Sequence, residues 1–177
     1  MSTEPRIEEV SAEALDLELL ALADVLHASV QDGASVGFVL PFSVDAASDF
    51  WCRVRPALQT GARRLFVARW EGRVVGTVQL VLDTPPNGRH RAEIAKMLVH
   101  PAARRRGIAR ALMLRAEDEA RRAGRSLLVL DTVPGNASER LYRSLGFQVT
   151  GMVPEYACSI HGALEPSLFM HKSLRDA

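Results

Sequence analysis

Cysteine is nearly absent from this chain. Cys52 and Cys158 stand far apart and form no CxxC pair, so neither a disulfide framework nor a cysteine zinc site is suggested. The five histidines, at 27, 90, 100, 161 and 171, include no HExxH spacing, and no metal is expected. No apolar run approaches the ~18 residues of a membrane span, and MSTEPRIEEV lacks a signal-peptide core. The expectation is a cytoplasmic protein with no membrane partner. An excess of one charge is also missing: 22 Lys+Arg against 21 Asp+Glu leave +1, so no global field draws in nucleic acid. What the chain does have is 177 residues and a 47% hydrophobic fraction, enough for one well-cored domain over 1–177. There are no internal repeats.

Periodicity supplies the elements. Arg6 to Val10 suits a first strand, and Ser11 suits an N-cap for a helix opening at Ala12. Leu15, Leu19, Leu22, Leu26 and Val30 form its apolar stripe until Gly33, with His27 expected to pack beside it. A loop over Ala34–Phe42 leads to a second helix from Ser43 or Asp45 to Thr60, with Phe50, Trp51, Val54 and Leu58 inward and a kink or break at Pro56. Two β-rich runs flank Glu71-Gly72 as a hairpin. Thr84–Gly88 reads as a loop, Arg91–Val99 as a strand, and Arg105–Ala123 as a helix with Ile108, Ala111, Leu112, Ala116, Ala120 and Ala123 on its apolar side. Ser126–Leu130 is a continuously apolar strand ending in Asp131-Thr132. A short helix over Ala137–Leu145 and strands over Phe147–Val153 and Ser167–Ser173 follow, joined by a loop around Tyr156, His161 and Gly162. The order predicts a mixed α/β sheet in one domain.

Arg104-Arg105-Arg106-Gly107 sits between a strand and a helix. The first turn of a helix has unpaired N–H groups and a partial positive charge, and glycine lets an anion approach the backbone. No Gly-Lys-Ser/Thr follows and no GxGxxG is present, so the best-fitting ligand is a phosphate-bearing cofactor outside the P-loop and dinucleotide classes.

His100-Pro101-x-x-Arg104-Arg105-Arg106-Gly107-Ile108-Ala109 resembles the R/Q-x-x-G-x-G/A pyrophosphate loop of the GNAT superfamily of acetyl-CoA-dependent acyltransferases. Leu141-Tyr142-Arg143-Ser144-Leu145-Gly146-Phe147 resembles that family's LYxxxGF signature. The interval and the element order match from about residue 6 to 174. HRAEIAKMLVHP, LDT, Gly151-x-Val153-Pro154-x-Tyr156, Gly162 and Lys172-x-Leu174 are similar to the tabtoxin-resistance acetyltransferase branch. The resemblance implies the GNAT fold: α/β (α+β), with a central mixed, mostly antiparallel sheet splayed between its middle strands and helices on both faces.

It also implies roles. Arg104, Arg105, Arg106, Gly107, Ile108, Ala109 and Arg110 would surround the pyrophosphate of acetyl-CoA, through backbone N–H groups more than side chains. Met97, Leu98 and Val99 would run beside the pantetheine arm, with a backbone N–H near Met97 or Leu98 polarising the thioester carbonyl. Asn136 and Ser138 would add cofactor contacts. Asn136 stands one place after the position where the family often has asparagine, and it is equally a cap residue. Tyr142 corresponds to the tyrosine that faces the thioester sulfur. Glu93, sharing a face with Met97 and Val99 under strict alternation, and Asp131 would supply the base. His90 and Cys158 are alternatives for that role.

The function expected is acetyl transfer from acetyl-CoA to an amine or hydroxyl of a small molecule, such as an amino acid, metabolite or antibiotic, in a ternary complex. A homodimer is compatible with it. Two rivals are acetylation of a protein N-terminus or lysine, which needs an open groove, and a non-catalytic acyl-CoA-binding module. A nucleic-acid reader using Arg104–Arg106 is disfavoured by the neutral charge and the lack of an aromatic platform.

Overall fold

The computed structural model describes residues 4–175. Its strands are β1 (Arg6–Glu9), β2 (Arg63–Trp70), β3 (Arg73–Val81), β4 (Arg91–Val99), β5 (Leu127–Thr132), β6 (Gln148–Cys158) and β7 (Leu164–Ser173). Among the described residues four α-helices accompany them: α1 (Leu15–Gln31), α2 (Val44–Gln59), α3 (Ile108–Arg122) and α4 (Ala137–Ser144). One sheet of seven strands runs β1-β2-β3-β4-β5-β7-β6, antiparallel throughout except at β4/β5.

Alternation along β2 builds a core on each face. Phe66 and Ala68 point to the α3 face and share a core with Leu112, Met113 and Ala116, to which Leu145 at the end of α4 also belongs. Leu65 and Val67 point to α1 and α2, meeting Leu22, Leu26, Trp51 and Val54. Trp51 satisfies its buried indole by donating Nε1–H to the Leu22 carbonyl at 2.9 Å. On the other face Glu119 of α3 is buried but paired with Arg64 at 2.9 Å and Arg115 at 3.0 Å, which ties the helix to β2. His27 packs against Phe42 as expected, with ring centroids 6.4 Å apart.

The sequence boundaries shift where side chains or φ angles compete with the helix. Ser11 Oγ accepts from Ala14 N–H at 3.3 Å, so residues 12–14 make a turn and α1 begins at Leu15. Arg105 and Gly107 adopt φ of 66° and 76°, so α3 begins at Ile108 rather than Arg105. Ala123 lies outside the apolar stripe, as the exposed C-cap. Pro56 does not break α2: it sits in the last turn, where the carbonyl it leaves unbonded belongs to exposed Cys52. The expected loop around Tyr156 is instead a long hairpin, because β6 and β7 stay paired out to Cys158 and Leu164. Glu71 and Gly72 both have positive φ, 50° and 80°, the conformation a two-residue hairpin requires.

Two irregularities locate the site. The β4/β5 ladder pairs only Arg91–Glu93 with Leu127–Val129, after which the strands part, as the fold expectation held. On its other side, β4 pairs Leu98 with Thr77 but Ala95 with Gln79, so Lys96 and Met97 together oppose Val78. This is a β-bulge, with Lys96 at φ 47°.

Gly76 faces the first turn of α3. A Cβ there would lie 2.9 Å from the Leu98 carbonyl oxygen and 3.1 Å from both Ile108 Cγ2 and Leu112 Cδ1. Gly76→Ala is therefore expected to cost about 1–3 kcal/mol by overpacking. Thermal unfolding followed by circular dichroism should show a fall of about 2–4 °C for each kcal/mol.

Candidate active site

The bulge reverses the side-chain alternation of β4. Ala92 and Ile94 belong to the core under α3, and beyond the bulge Met97 and Val99 pack against that same core while Leu98 crosses to the α1–α2 side. Glu93 therefore does not share a face with Met97 and Val99. The extra residue puts it on the α1–α2 side, and Met97, Leu98 and Val99 are divided between the faces. Strict alternation fails here because it counts one residue per pleat.

On the α1–α2 side the exposed Glu93 stands level with Val129, and Asp131 lies two residues further along β5, on the same face. Asp131 is held from behind: the buried Ser167 Oγ donates to its Oδ2 at 2.6 Å. Lys96 completes this group. Its Nζ lies 5.9 Å from the Phe38 ring centroid and 5.5 Å from that of Phe50. Burial pulls the Lys96 ammonium below the ordinary lysine pKa and Arg63 adds to the effect, while Glu93 and Asp131 oppose it. Its left-handed backbone is braced by Thr77 Oγ1, which donates to the Lys96 carbonyl at 2.9 Å.

Tyr142 comes from the other side. It projects from α4 into the core beneath the sheet, 95% shielded by residues that include Phe147, whose ring centroid is 5.8 Å away. Burial raises the phenol's pKa above its ordinary value and the negative Asp131 raises it further. The carboxylates and the phenol thus approach the parting of β4 and β5 from opposite faces.

At the end of β4 the chain turns into α3. The helix ladder starts with Ala111 N–H donating to Gly107 O at 3.0 Å, and no side chain caps Gly107. The N–H groups of Ile108, Ala109 and Arg110 are therefore outside the ladder. With Arg105 and Gly107 both left-handed and nothing within 4 Å of a Cβ built on Gly107, the turn is an open cradle of N–H groups suited to a pyrophosphate. The side chains are largely engaged elsewhere. Arg104 meets Asp32 and the Val99 carbonyl, Arg106 lies 5.3 Å from the Trp70 ring, and Arg110 donates to Ser144 Oγ at 2.7 Å. Asn136 caps α4, its Oδ1 accepting from Glu139 N–H at 2.9 Å, and Ser138 is half-buried in the first turn of that helix. His90 sits at the closed end of the β4/β5 ladder, and Cys158 at the far end of β6, so neither joins the group. No cluster of three His, Cys, Asp or Glu side chains occurs among the described residues, and no helix there is long and apolar enough to cross a membrane.

Lys96, Ser167 and Phe38 belong to no motif in the sequence, and Phe50 reads there only as an inward-facing residue of α2. For Lys96 a signal existed: a lysine inside the apolar run Ile94–Val99, with Ile94 and Leu98 two residues to either side.

Known proteins resemble this chain in sequence and in fold. The sequence model of the Acetyltransferase (GNAT) family matches residues 30–147. An IAA acetyltransferase from Azospirillum brasilense is 42% identical over 121 residues, covering 66% of this chain and 74% of that protein. An L-methionine sulfoximine/L-methionine sulfone acetyltransferase from Salmonella typhimurium is 45% identical over 58 residues, 32% of this chain and 34% of its own length. Among solved structures, a phosphinothricin acetyltransferase from Sinorhizobium meliloti in complex with acetyl-CoA superposes with a TM-score of 0.78 at 21% identity, covering 96% of this chain and 88% of that one. From the family match, the relative and the fold together, the chain is a member of the GNAT family of N-acetyltransferases.

Proposed function

We propose that this acetyltransferase moves an acetyl group from acetyl-CoA to an amine of a small molecule, by direct transfer in a ternary complex. The observation that carries this reading is the two-sided approach to the parted strands: carboxylates on the α1–α2 face, a neutral phenol on the α3–α4 face. Acetyl-CoA supplies the activated acetyl group. Its pyrophosphate suits the N–H cradle of Arg105 to Arg110, and its pantetheine arm suits the edge of β4 at Met97–Val99 that β5 leaves unpaired. Asn136 and Ser138 lie at the start of α4, where further cofactor contacts are to be tested.

A primary amine is protonated near neutral pH, and its nitrogen must lose a proton before it can form a bond to the acetyl carbon. Glu93 and Asp131 take that proton directly or through water and pass it to solvent. They then accept the second proton that the nitrogen loses as its bond to the acetyl carbon forms and the carbon–sulfur bond breaks. As the carbon–sulfur bond breaks, negative charge collects on sulfur, and Tyr142 O–H donates a hydrogen bond to it. Full proton transfer would run uphill, since a thiol's pKa of about 8.5 lies below that of a phenol held above 10. Tyr142 thus stabilises the thiolate, which is protonated by water on release.

A small acceptor is favoured over a peptide. Leu40 N–H donates to the Ile160 carbonyl at 2.9 Å, and Ile160 is buried with Phe42 in the α1–α2 core. The tip of the β6–β7 hairpin is thereby joined to the α1–α2 loop, which narrows the groove that a protein tail would need.

Release of CoA over a panel of amines and amino acids, compared across variants, tests the reading. Glu93→Gln is expected to lower kcat by about 10²-fold or more with the acetyl-CoA KM nearly unchanged. Unaltered turnover in both Glu93→Gln and Asp131→Asn would refute the base assignment. Tyr142→Phe should cost about tenfold or more in kcat and leave the pH profile unchanged, with no alkaline loss from Tyr142 ionisation up to about pH 10 in the parent. An alkaline limb that Tyr142→Phe removes would overturn the hydrogen-bonding role. For the cradle, acetyl-CoA should raise the parent's Tm. Gly107→Val, which puts a β-branched residue at φ 76°, should abolish that rise, whereas Arg106→Ala should keep most of it.

A further inference from the structure

Charge changes sign across the α1–α2 face of the cleft. Asp131 on β5 and Glu93 on β4 provide acceptor oxygens at one side. Across the face from them, Gln79 on β3 and Arg63 on β2 provide donors: Gln79 pairs in register with Ala95, and Arg63 shares its row with Val81 and Glu93. Gln79 is fully buried, and its Oε1 accepts from Arg63 Nη1 at 2.7 Å. That bond fixes the amide orientation and leaves Nε2 with both hydrogens and no acceptor. Gln79 Nε2 and Arg63 Nε are buried donors without a partner among the described residues. Lys96 follows Ala95, the register partner of Gln79, and its ammonium is held on the same face against Phe38 and Phe50.

Unpaired buried donors are costly, and a buried ammonium more so. Two aromatic faces compensate an ammonium only in part. Glu93 and Asp131 are near enough to be felt by Lys96 but not to bond it. The arrangement therefore has three donors short of an acceptor beside two carboxylates that are short of a cation.

We infer that this donor group is a carboxylate-binding subsite: Lys96, backed by Gln79 and Arg63, holds the acid group of an amino-acid-like acceptor whose amine lies at Glu93 and Asp131. The inference rests on the acetyl-transfer reading and narrows its substrate class from amines in general to compounds bearing both an amine and a carboxylate. Phe38 and Phe50 face the same ammonium and would border the acceptor's carbon chain. Lys96 is a specificity-determining residue in this arrangement, and Gln79 positions the anion from beneath.

Matched pairs test it: amino acids, their amides, and the corresponding decarboxylated amines, with parent, Lys96→Met and Gln79→Leu. Turnover is read as CoA release, and binding to the CoA-saturated enzyme by calorimetry. The parent is expected to favour the acid over its amide and amine by about 100-fold in kcat/KM. Lys96→Met should remove most of that preference through KM for the acid, the acids losing at least about tenfold more than the amines. Gln79→Leu should weaken the acids by about tenfold. Equal or better use of the amines by the parent, or equal losses on acids and amines in Lys96→Met, would overturn the subsite while leaving acetyl transfer standing. Should no compound be acetylated, acid-selective binding that Lys96→Met abolishes still upholds the subsite and removes the catalytic reading. Absence of acid-selective binding in the parent refutes it.

Discussion

At Lys96 the backbone of β4 passes through a left-handed conformation, and two residues face one on β3. Such a conformation in a residue with a Cβ costs about 1–3 kcal/mol and persists only where the surroundings over-determine it. Here the surroundings are identifiable. Thr77, fully buried, bonds the Lys96 carbonyl, and the residues before and after the bulge are locked into cores on opposite faces. The bulge bends β4, beyond Glu93 the strand no longer pairs with β5, and its free edge becomes available. The same residue puts Glu93 on the α1–α2 side while leaving Met97 and Val99 over α3. Both the gap and the division of labour across it depend on this one departure from regular pairing.

A second constraint concerns how the helix start is presented. Ile108, buried at 1%, and Leu112 pack over Gly76, so the first turn of α3 rests directly on the sheet. Arg104 and Arg106 are tied to Asp32 and Trp70, and the cluster that looks in sequence like a cationic lure spends much of its reach on bracing the turn. In the proposed function the anion is held by backbone N–H groups, which would cost little reorganisation because the fold has already fixed them. The buried Glu119 with Arg64 and Arg115 anchors the helix one face further along, where breaking the set would leave a charge without compensation.

The α1–α2 side is built differently, from side chains that the fold leaves incompletely paired. Asp131 is oriented by Ser167, Gln79 by Arg63, and Lys96 by two rings. None of these comes from the two motifs that mark the cofactor side. That contrast is physical: one side of the cleft presents main-chain N–H groups, whereas the other presents particular side chains, and in the proposed function the latter select the acceptor.

By itself the sequence determined the parts whose physics is local. Glu-Gly between β-rich runs specified the hairpin, the 3.6-residue stripes specified the helices, and glycine beside arginine ahead of a helix specified the anion turn. The two motifs at their interval carried the family, and with it the splayed sheet and the cradle around Gly107. Pro56 and Ser11 misled, because solvent at an exposed last turn and a competing side-chain bond outweighed the simple rule. The bulge was not legible. Ile94, Lys96 and Leu98 keep an unbroken alternation on paper, and only the register with Thr77 and Gln79 on the neighbouring strand reveals an added residue. Which face Glu93 occupies, what Lys96 touches, and which buried donors go unpaired were decided by tertiary structure, because each depends on residues distant in sequence that only strand pairing brings together.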